Sequence, residues 1–317
     1  MDDALDVPEI ADASRYFPEP VLVGAPEVRS LADGGAEVRV PATGAWRRVH
    51  PLWLAVLEGL VAGASFREVQ ERLPPIEGVR PKQGRALARH YLWQMHRFGI
   101  VQLALPEPPD VWRGRYRRVR ELGRGSLGVA HLCLDLDERE RPVVLKHPWG
   151  VLHPIDRGQR AIAREVRALR LLDHPGVPRL VDSFAVDGLL HLVRDHVEGE
   201  DLHRSFSGKP PDEAERRAVA GQVAEVVAHA HGRGLLLLDI APANFLRRPD
   251  GRVLLIDLGT SVPHQDGSFA LAAAVGSPGY VAPEMIRPGA GAGPAGTLLT
   301  EVFAFGRLVA FLASGRA

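Results

Sequence analysis

Residues 235–246 read LLLLDIAPANFL. Asp239 and Asn244 stand five residues apart behind four leucines, and two readings compete. An acid and an amide on either side of Pro242 are ordinary turn chemistry. They are equally the polar end of a buried strand that presents a base and a metal ligand. What the rest of the chain supplies, and at what interval, decides between the two.

Upstream, YRRVREL (116–122) has the pattern of a strand, GRGSLGVA (123–130) follows, and a second strand runs through HLCLD (131–135). Gly123, Gly125 and Gly128 form G-x-G-x-x-G, and glycines there let backbone N–H groups come close to phosphate oxygens. A glycine-bearing hairpin turn accounts for the same letters. A strand on both sides argues against a dinucleotide site, which needs a helix after the glycines. The apolar strand PVVLK (142–146) ends on Lys146, 23 residues after Gly123. Alone, such a lysine is a solvated side chain lying along apolar surface. AIAREVRALRLL (161–172) sets Ile162, Val166, Leu169 and Leu172 on one helical face. Glu165 sits beside that face, able to reach a neighbouring element; by itself it reads as surface charge.

In this order the segments resemble a protein kinase, of the eukaryotic-like serine/threonine type found in bacteria. The resemblance covers about residues 116–315 and implies an α+β, two-lobed protein-kinase-like fold. Gly123, Gly125 and Gly128 would cover the phosphates of ATP, and Lys146 would touch the α and β phosphates and pair with Glu165. HLVRDHVEGEDL (191–202) matches the hinge, where the backbone of Asp195 and Val197 would hold the adenine edge. Ala130, Val144 and Leu246 fall where the family sandwiches adenine. LLLDIAPANFL matches the catalytic loop H-R-D-L-K-P-E-N-I-L. Asp239 then aligns with the base that accepts the substrate proton, and Asn244 with a ligand of the second Mg2+. LLIDLGTS (254–261) matches D-F-G, with Asp257 as the principal Mg2+ ligand and Leu258 for Phe. VGSPGYVAPE (275–284) matches G-T-P-x-Y-x-A-P-E. Ser277 there marks serine/threonine kinases, and its hydroxyl is expected to brace Asp239. TEVFAFGRLVAFLASG (300–315) takes the place of helix F, with Glu301 for the usual Asp that braces the catalytic loop.

The residue types suit the chemistry. Phosphoryl transfer asks little covalent work of the protein, so placement and charge compensation dominate. Magnesium takes hard oxygen ligands, which Asn244 and Asp257 supply. A base such as Asp239 contributes about 10²–10⁴ in rate.

Several positions depart from the family. Leu237 and Leu238 replace the His and Arg before the catalytic Asp, so an activation-loop phosphate loses its usual receptor. Leu237, Leu258 and Leu169 fall at three positions of the family's apolar stack, as an aliphatic version of it. Ala241 replaces the lysine that contacts the transferred phosphate, and position 243 is alanine too; Arg194, at the usually apolar gatekeeper position, is a candidate substitute. The sequence ends at Ala317, just after helix F, where the family has three more helices. The expectation from that ending is a partial C-lobe whose apolar surface is covered by a partner or by self-association. Two activities remain open: an ATP- and Mg2+-dependent kinase acting on a protein or peptide substrate, and a nucleotide-binding pseudokinase acting as a regulatory or scaffold module.

The expected division is a flexible terminus (1–26), a small unit (27–103), a Pro-rich linker (104–113), an N-lobe (114–197) and a partial C-lobe (198–317). In the small unit, Val38 and Val40 alternate with charged neighbours around Asp33-Gly34-Gly35, the pattern of a hairpin over 27–49. Leu52, Val56 and Leu60 follow helical spacing, Ser65 and Glu68 form a capping box, and Ala88, Leu92 and Met95 stripe a third helix closed by Gly99. A strand, Ile100 to Leu103, follows. This order is that of a winged helix, and it resembles the PqqD-like domains that bind leader peptides by adding a strand to a sheet edge. DNA binding and a purely structural role are the other uses of such a unit. A second irregular tract (287–297) reads as a loop.

The chain has 317 residues, 45% hydrophobic and 25% charged, with 39 basic residues against 39 acidic. Balanced charge gives no general argument for nucleic acid or membrane binding. Cys133 is the single cysteine, which excludes an intrachain disulfide and suits a reducing cytoplasm. The acidic start MDDALDVPEIADAS lacks the features of a signal peptide, and Val302–Ala313 is too short to span a bilayer. His90 and His96, six apart, share no helical face and make no metal site. Trp46, Trp53 and Trp93 fit a core or a domain contact better than a base-stacking platform.

Overall fold

Period-two patterning over 116–148 and 180–195 builds an antiparallel sheet, and helical spacing over 155–171 lays a helix across it. The computed structural model describes residues 19–33, 35–41, 43–74, 81–103, 107–125, 127–149, 155–264, 267–270, 275–286 and 295–316. Residues 1–18 of the expected loose terminus, Gly34 of the expected turn, linker residues 104–106 and loop residues 287–294 lie outside the described residues.

The first unit comprises β1 (Pro20–Leu22), β2 (Val28–Ser30), β3 (Ala36–Arg39), β4 (Trp46–Val49), α1 (Pro51–Val61), α2 (Phe66–Glu71), α3 (Pro81–Arg97) and β5 (Val101–Leu103). Strands β2, β3 and β4 form one antiparallel sheet, and β1 pairs with β5. The expected hairpin is thus a three-stranded meander, because Trp46–Val49 registers against Ala36–Arg39. Val56 and Leu60 of α1 and Ala88, Leu92 and Met95 of α3 are buried in one core with Val38 and Trp53; Leu52 is buried as well. Ser65 and Glu68 exchange capping hydrogen bonds at the start of α2.

The second unit opens with a six-stranded antiparallel sheet. Its strands are β6 (Val111–Trp112), β7 (Tyr116–Arg124), β8 (Gly128–Asp135), β9 (Arg141–Pro148), β10 (Leu180–Val186) and β11 (Leu189–Asp195), and α4 (Ile155–Leu171) crosses it. The order across the sheet is β10-β11-β9-β8-β7-β6. β6 lies in the stretch expected as linker. Trp112, 3% exposed, buries there against Tyr116, Cys133 and Phe184, which draws the sheet back to residue 111. Register shifts at Arg118/Arg120 and Glu121/Gly123 bend β7 against β8 and curl the sheet.

Strand alternation then sorts β9 into two roles. Val143 and Leu145 enter the apolar cluster with Tyr116, Phe184 and Val193. Val144 and Lys146 face the other way, with Lys146 between Ala130 of β8 and Leu192 of β11.

The C-terminal part follows as β12 (Glu200–Asp201), α5 (Leu202–Phe206), α6 (Glu213–Gly232), β13 (Leu235–Leu236), β14 (Phe245–Arg247), β15 (Val253–Leu255), β16 (Val262–Pro263), β17 (Ser268–Ala270), α7 (Pro283–Ile286), β18 (Ala295–Thr297) and α8 (Leu298–Ser314). One core joins Val219, Val223 and Val226 of α6 to Ala304, Leu308 and Phe311 of α8 and to Leu169 of α4. That shared core fixes the helical part against the sheet. Among the described residues no helix is long and apolar enough to cross a membrane.

At the end of β8, Asp135 is fully buried and takes two hydrogen bonds from Arg115, at 2.7 and 2.8 Å. Arg115 holds the Asp135 carboxyl below its usual range, against the opposing effect of burial. A depressed folded-state pKa contributes stability that is present above the unfolded value of about 3.9 and is lost as pH falls through the folded one. Asp135→Asn is expected to lose about 1.5–3 kcal/mol at pH 7 in urea melts. The gap from the parent protein should close below about pH 4.

Candidate active site

Lys146 is the centre of the cleft. Its ammonium donates to Glu165 Oε2 at 2.6 Å and lies 3.2 Å from Asp257 Oδ2. Three elements meet there: β9 brings the lysine, α4 the glutamate, and the turn after β15 the aspartate. Glu165 shares its side of α4 with Ile162, Val166 and Leu169, so the helix that builds the core also seats the carboxylate. It is 1% exposed, whereas Asp257 is 46% exposed and opens toward solvent.

The charges settle one another. Burial works against the Lys146 ammonium, but Asp257 and Glu165 outweigh it and keep the group protonated. Burial likewise opposes ionisation of Asp257; Lys146, the Gly259 amide and Arg194 overcome it and hold this carboxyl below its ordinary range. Glu165 is pushed up by burial, which Lys146 and Arg194 only partly offset.

Arg194 finds its explanation here. The buried guanidinium sits behind Glu165, with Nε 4.0 Å from Oε1, and donates to the carbonyls of Asp195 (3.2 Å) and Ile256 (3.4 Å). It is a second cation on the same glutamate. None of these contacts is in the catalytic-loop stretch, so Arg194 is not the substitute for a lysine at position 241.

The stretch 235–246 is a short strand, β13, followed by an extended segment and a 3₁₀ turn over Pro242–Asn244. Leu238 has a left-handed backbone, φ 63°, which costs a branched side chain about 1–3 kcal/mol. Glu301 of α8 holds it in place. Oε1 accepts from the N–H of Leu237 (2.5 Å) and of Leu238 (2.6 Å), while Oε2 meets His231 at the end of α6. Thr260 donates to the Leu237 carbonyl at 2.8 Å. Leu237, Leu258 and Leu169 lie in one buried core.

With that backbone fixed, Asp239 is presented at the cleft. Its Oδ1 accepts from the Ser277 backbone N–H at 2.8 Å. The expected brace from the Ser277 hydroxyl is therefore made by the peptide instead. Gly276 permits the approach: φ is 122°, and a Cβ there would stand 2.8 Å from the Leu238 carbonyl. Asn244 Nδ2 donates to the Asp239 carbonyl at 3.0 Å. That bond uses the amide nitrogen and leaves the amide oxygen of Asn244 for a ligand role.

Gly123, Gly125 and Gly128 lie at the β7–β8 turn, where Gly125 N–H bonds the Gly128 carbonyl at 2.9 Å. Gly128 is forced by packing, since a Cβ there would meet the His147 carbonyl at 2.8 Å. Ala130 registers beside Lys146, Val144 is buried on the same face, and Leu246 lies in β14 opposite Leu254. At the hinge, the Asp195 N–H is spent on the Arg179 carbonyl, at 3.0 Å. Its carboxylate is held by Arg141 and Arg179 at 3.0 and 2.9 Å. The Asp195 carbonyl accepts from Arg194 at 3.2 Å, which leaves its second lone pair for a ligand donor. Among the described residues the Val197 N–H has no intrachain acceptor. A cleft of about 740 Å³ on the outer side of the hinge, lined by Arg141, His174, Arg179 and Arg248 together with Asp195 and Val197, contains neither Lys146 nor Asp257.

His231, Thr260 and the Ser277 peptide were not legible as site residues. Their signal is spatial: each reaches its partner across 23 to 70 positions of chain.

A curled sheet lies over a helical part, and a Lys–Glu–Asp cluster sits at their junction. The family model "Protein kinase domain" matches residues 116–317. The chain belongs to the protein kinase domain family.

Rice (Oryza sativa subsp. japonica) calcium-dependent protein kinase 9 is 36% identical over 179 residues, 55% of this chain and 31% of that protein. Rabbit (Oryctolagus cuniculus) calcium/calmodulin-dependent protein kinase type II subunit delta is 30% identical over 179 residues, 54% of this chain and 33% of its own length. Calcium-dependent protein kinase 14 of Arabidopsis thaliana is 31% identical over 201 residues, 61% of this chain and 37% of its own length. The chain thus spans about a third of the length of these curated relatives.

Removing the Glu301 carboxylate strands two buried N–H groups under a strained residue. Glu301→Ala is expected to cost about 2–5 kcal/mol in denaturant melts, and Glu301→Gln, which keeps an acceptor, less than half of that.

Proposed function

We propose that the chain is an ATP- and Mg2+-dependent serine/threonine protein kinase whose N-terminal unit, residues 27–103, is a winged-helix docking module. The observation that carries the reading is the assembled cluster of Lys146, Glu165 and Asp257, with Asp239 held on the Ser277 peptide. A protein kinase domain implies ATP and usually Mg2+. The donor set fits both: a half-exposed carboxylate held ionised at Asp257, a free amide oxygen at Asn244, and a glycine turn whose backbone can approach phosphate. When bound, ATP supplies the transferable phosphoryl group, and Mg2+ neutralises charge that builds on its oxygens.

The protein's own groups do the rest. Lys146, kept protonated by its two acids, holds and orients phosphate oxygens. Glu165 and Arg194 keep the lysine in place from behind. Asp257 and Asn244 offer the metal hard oxygens. Asp239 Oδ1 is occupied by Ser277 N–H, which leaves Oδ2 to receive the proton of an incoming serine or threonine hydroxyl. The Asp195 carbonyl and the Val197 N–H present the hydrogen-bond pair that an adenine edge needs.

Ala241 favours the second reading, a nucleotide-binding pseudokinase. The cation usual at that position is absent, and Arg194 is committed to Glu165. For the N-terminal unit, support for peptide docking comes from β2, whose three residues are all exposed at a sheet edge. An open strand edge accepts an added strand.

Incubation of the purified chain with labelled ATP and Mg2+ is expected to incorporate phosphate. Asp239→Ala should reduce incorporation by at least about 10². Equal incorporation by the two proteins rejects the kinase reading. Stabilisation of both by ATP, with turnover in neither, selects the pseudokinase.

A further inference from the structure

We propose that Trp149 is a positioning residue through which the N-terminal unit sets the geometry of the glycine-rich turn, and hence the affinity for ATP. The proposal rests on the cleft being an ATP site. Trp149 follows β9 directly and is 8% exposed. Its indole N–H donates to the Gly125 carbonyl at 2.9 Å, the middle glycine of the turn. Its backbone N–H reaches toward the Leu127 carbonyl at 3.4 Å. Arg124, also in the turn, lies over the indole ring with Cζ 4.6 Å from the centroid. The turn is therefore held from one side by a single aromatic residue.

That residue is itself held by the other unit. Trp93 of α3 meets Trp149 edge-to-face, with centroids 5.1 Å apart and planes at 88°, a favoured arrangement for aromatic pairs. Trp149 and Val129, on either side of the turn, are buried in the same cluster as Trp53, Leu92 and Ile100 of the N-terminal unit. A second link runs parallel to the first. Arg89 of α3, depressed by burial, is partly restored by the charge of Asp156 in α4, the helix that carries Glu165. The N-terminal unit thus packs against the glycine turn through Trp149 and Val129, and its Arg89 is within electrostatic reach of the helix behind Lys146.

A glycine turn without a tether samples many backbone states, and ligand binding must select one of them. The indole hydrogen bond removes part of that cost in advance. A ligand on the N-terminal unit that shifts α3 would therefore change ATP affinity without entering the cleft. Trp149→Phe isolates the effect, because it keeps a ring against Trp93 and Arg124 but has no donor for Gly125.

The test uses the full chain and two variants, Trp149→Phe and Trp93→Leu. Each is expected to weaken ATP binding about three- to tenfold by calorimetry in Mg2+ buffer, the range of one hydrogen bond. The double variant should show little further loss, since both act through one contact. In nucleotide-free protein, hydrogen exchange of the 123–129 amides should quicken in both variants. Unchanged exchange there, in variants with parental circular dichroism, overturns the tether whatever the cleft binds. Parental ATP affinity in both variants, with the parent binding ATP, overturns its link to nucleotide. Failure of the parent itself to bind ATP overturns the kinase reading and this inference with it.

Discussion

The ion pair between Lys146 and Glu165 is the constraint on which the arrangement depends. Burying a charge costs several kcal/mol unless a partner and further hydrogen bonds compensate it. Here the compensation comes from three separate elements. Glu165 is buried almost fully, and it is faced by two cations, Lys146 in front and Arg194 behind. Lys146 in turn leans on Asp257, so the sheet, helix α4 and the turn after β15 are correct only together. A buried pair of this kind is a poor source of net stability and a good specifier of geometry. It makes the cleft an all-or-none arrangement of the two halves of the fold.

The same logic governs the catalytic loop by a different device. No charge from the loop is buried. Instead, the N–H groups of the left-handed Leu238 and of its neighbour Leu237 each donate to one carboxylate on α8. Glu301 is longer than the usual aspartate by one methylene, and its second oxygen reaches His231. Glu301 thus braces two loop N–H groups and also reaches His231. Leu237 and Leu238 exchange polar side chains for apolar ones, and both are buried. The loop's orientation rests on backbone hydrogen bonds, which tolerate that exchange. What the exchange removes is side-chain chemistry: a receptor for an activation-loop phosphate and, at Ala241, a cation for the transferred group.

Much of the fold was legible because its signals are local. PVVLK alternates, AIAREVRALRLL follows helical spacing, and G-x-G-x-x-G lies between two strands. The short interval from Asp239 to Asn244 is likewise a single-turn geometry. Trp112 was not legible as a strand residue, because three nearby prolines mask a pairing that its burial enforces. Arg194 was read from sequence as a stand-in for the cation missing at 241, because its partner Glu165 lies on another element and no spacing pairs them. The contact of Trp93 with Trp149 joins residues 56 positions apart in separate units, and no periodicity reports it. Local pattern reveals what each element is; tertiary charge and aromatic contacts reveal what it is for.

The central claim is that Lys146, Glu165 and Asp257 form a working metal–nucleotide site. Calorimetric titration with ATP, in the presence and absence of Mg2+, addresses it most directly when the parent is compared with Asp257→Asn. The account predicts that Mg2+ strengthens ATP binding to the parent at least about tenfold, and that Asp257→Asn loses this dependence while remaining folded. ATP affinity indifferent to Mg2+ in the parent, or a dependence undiminished in Asp257→Asn, would contradict it.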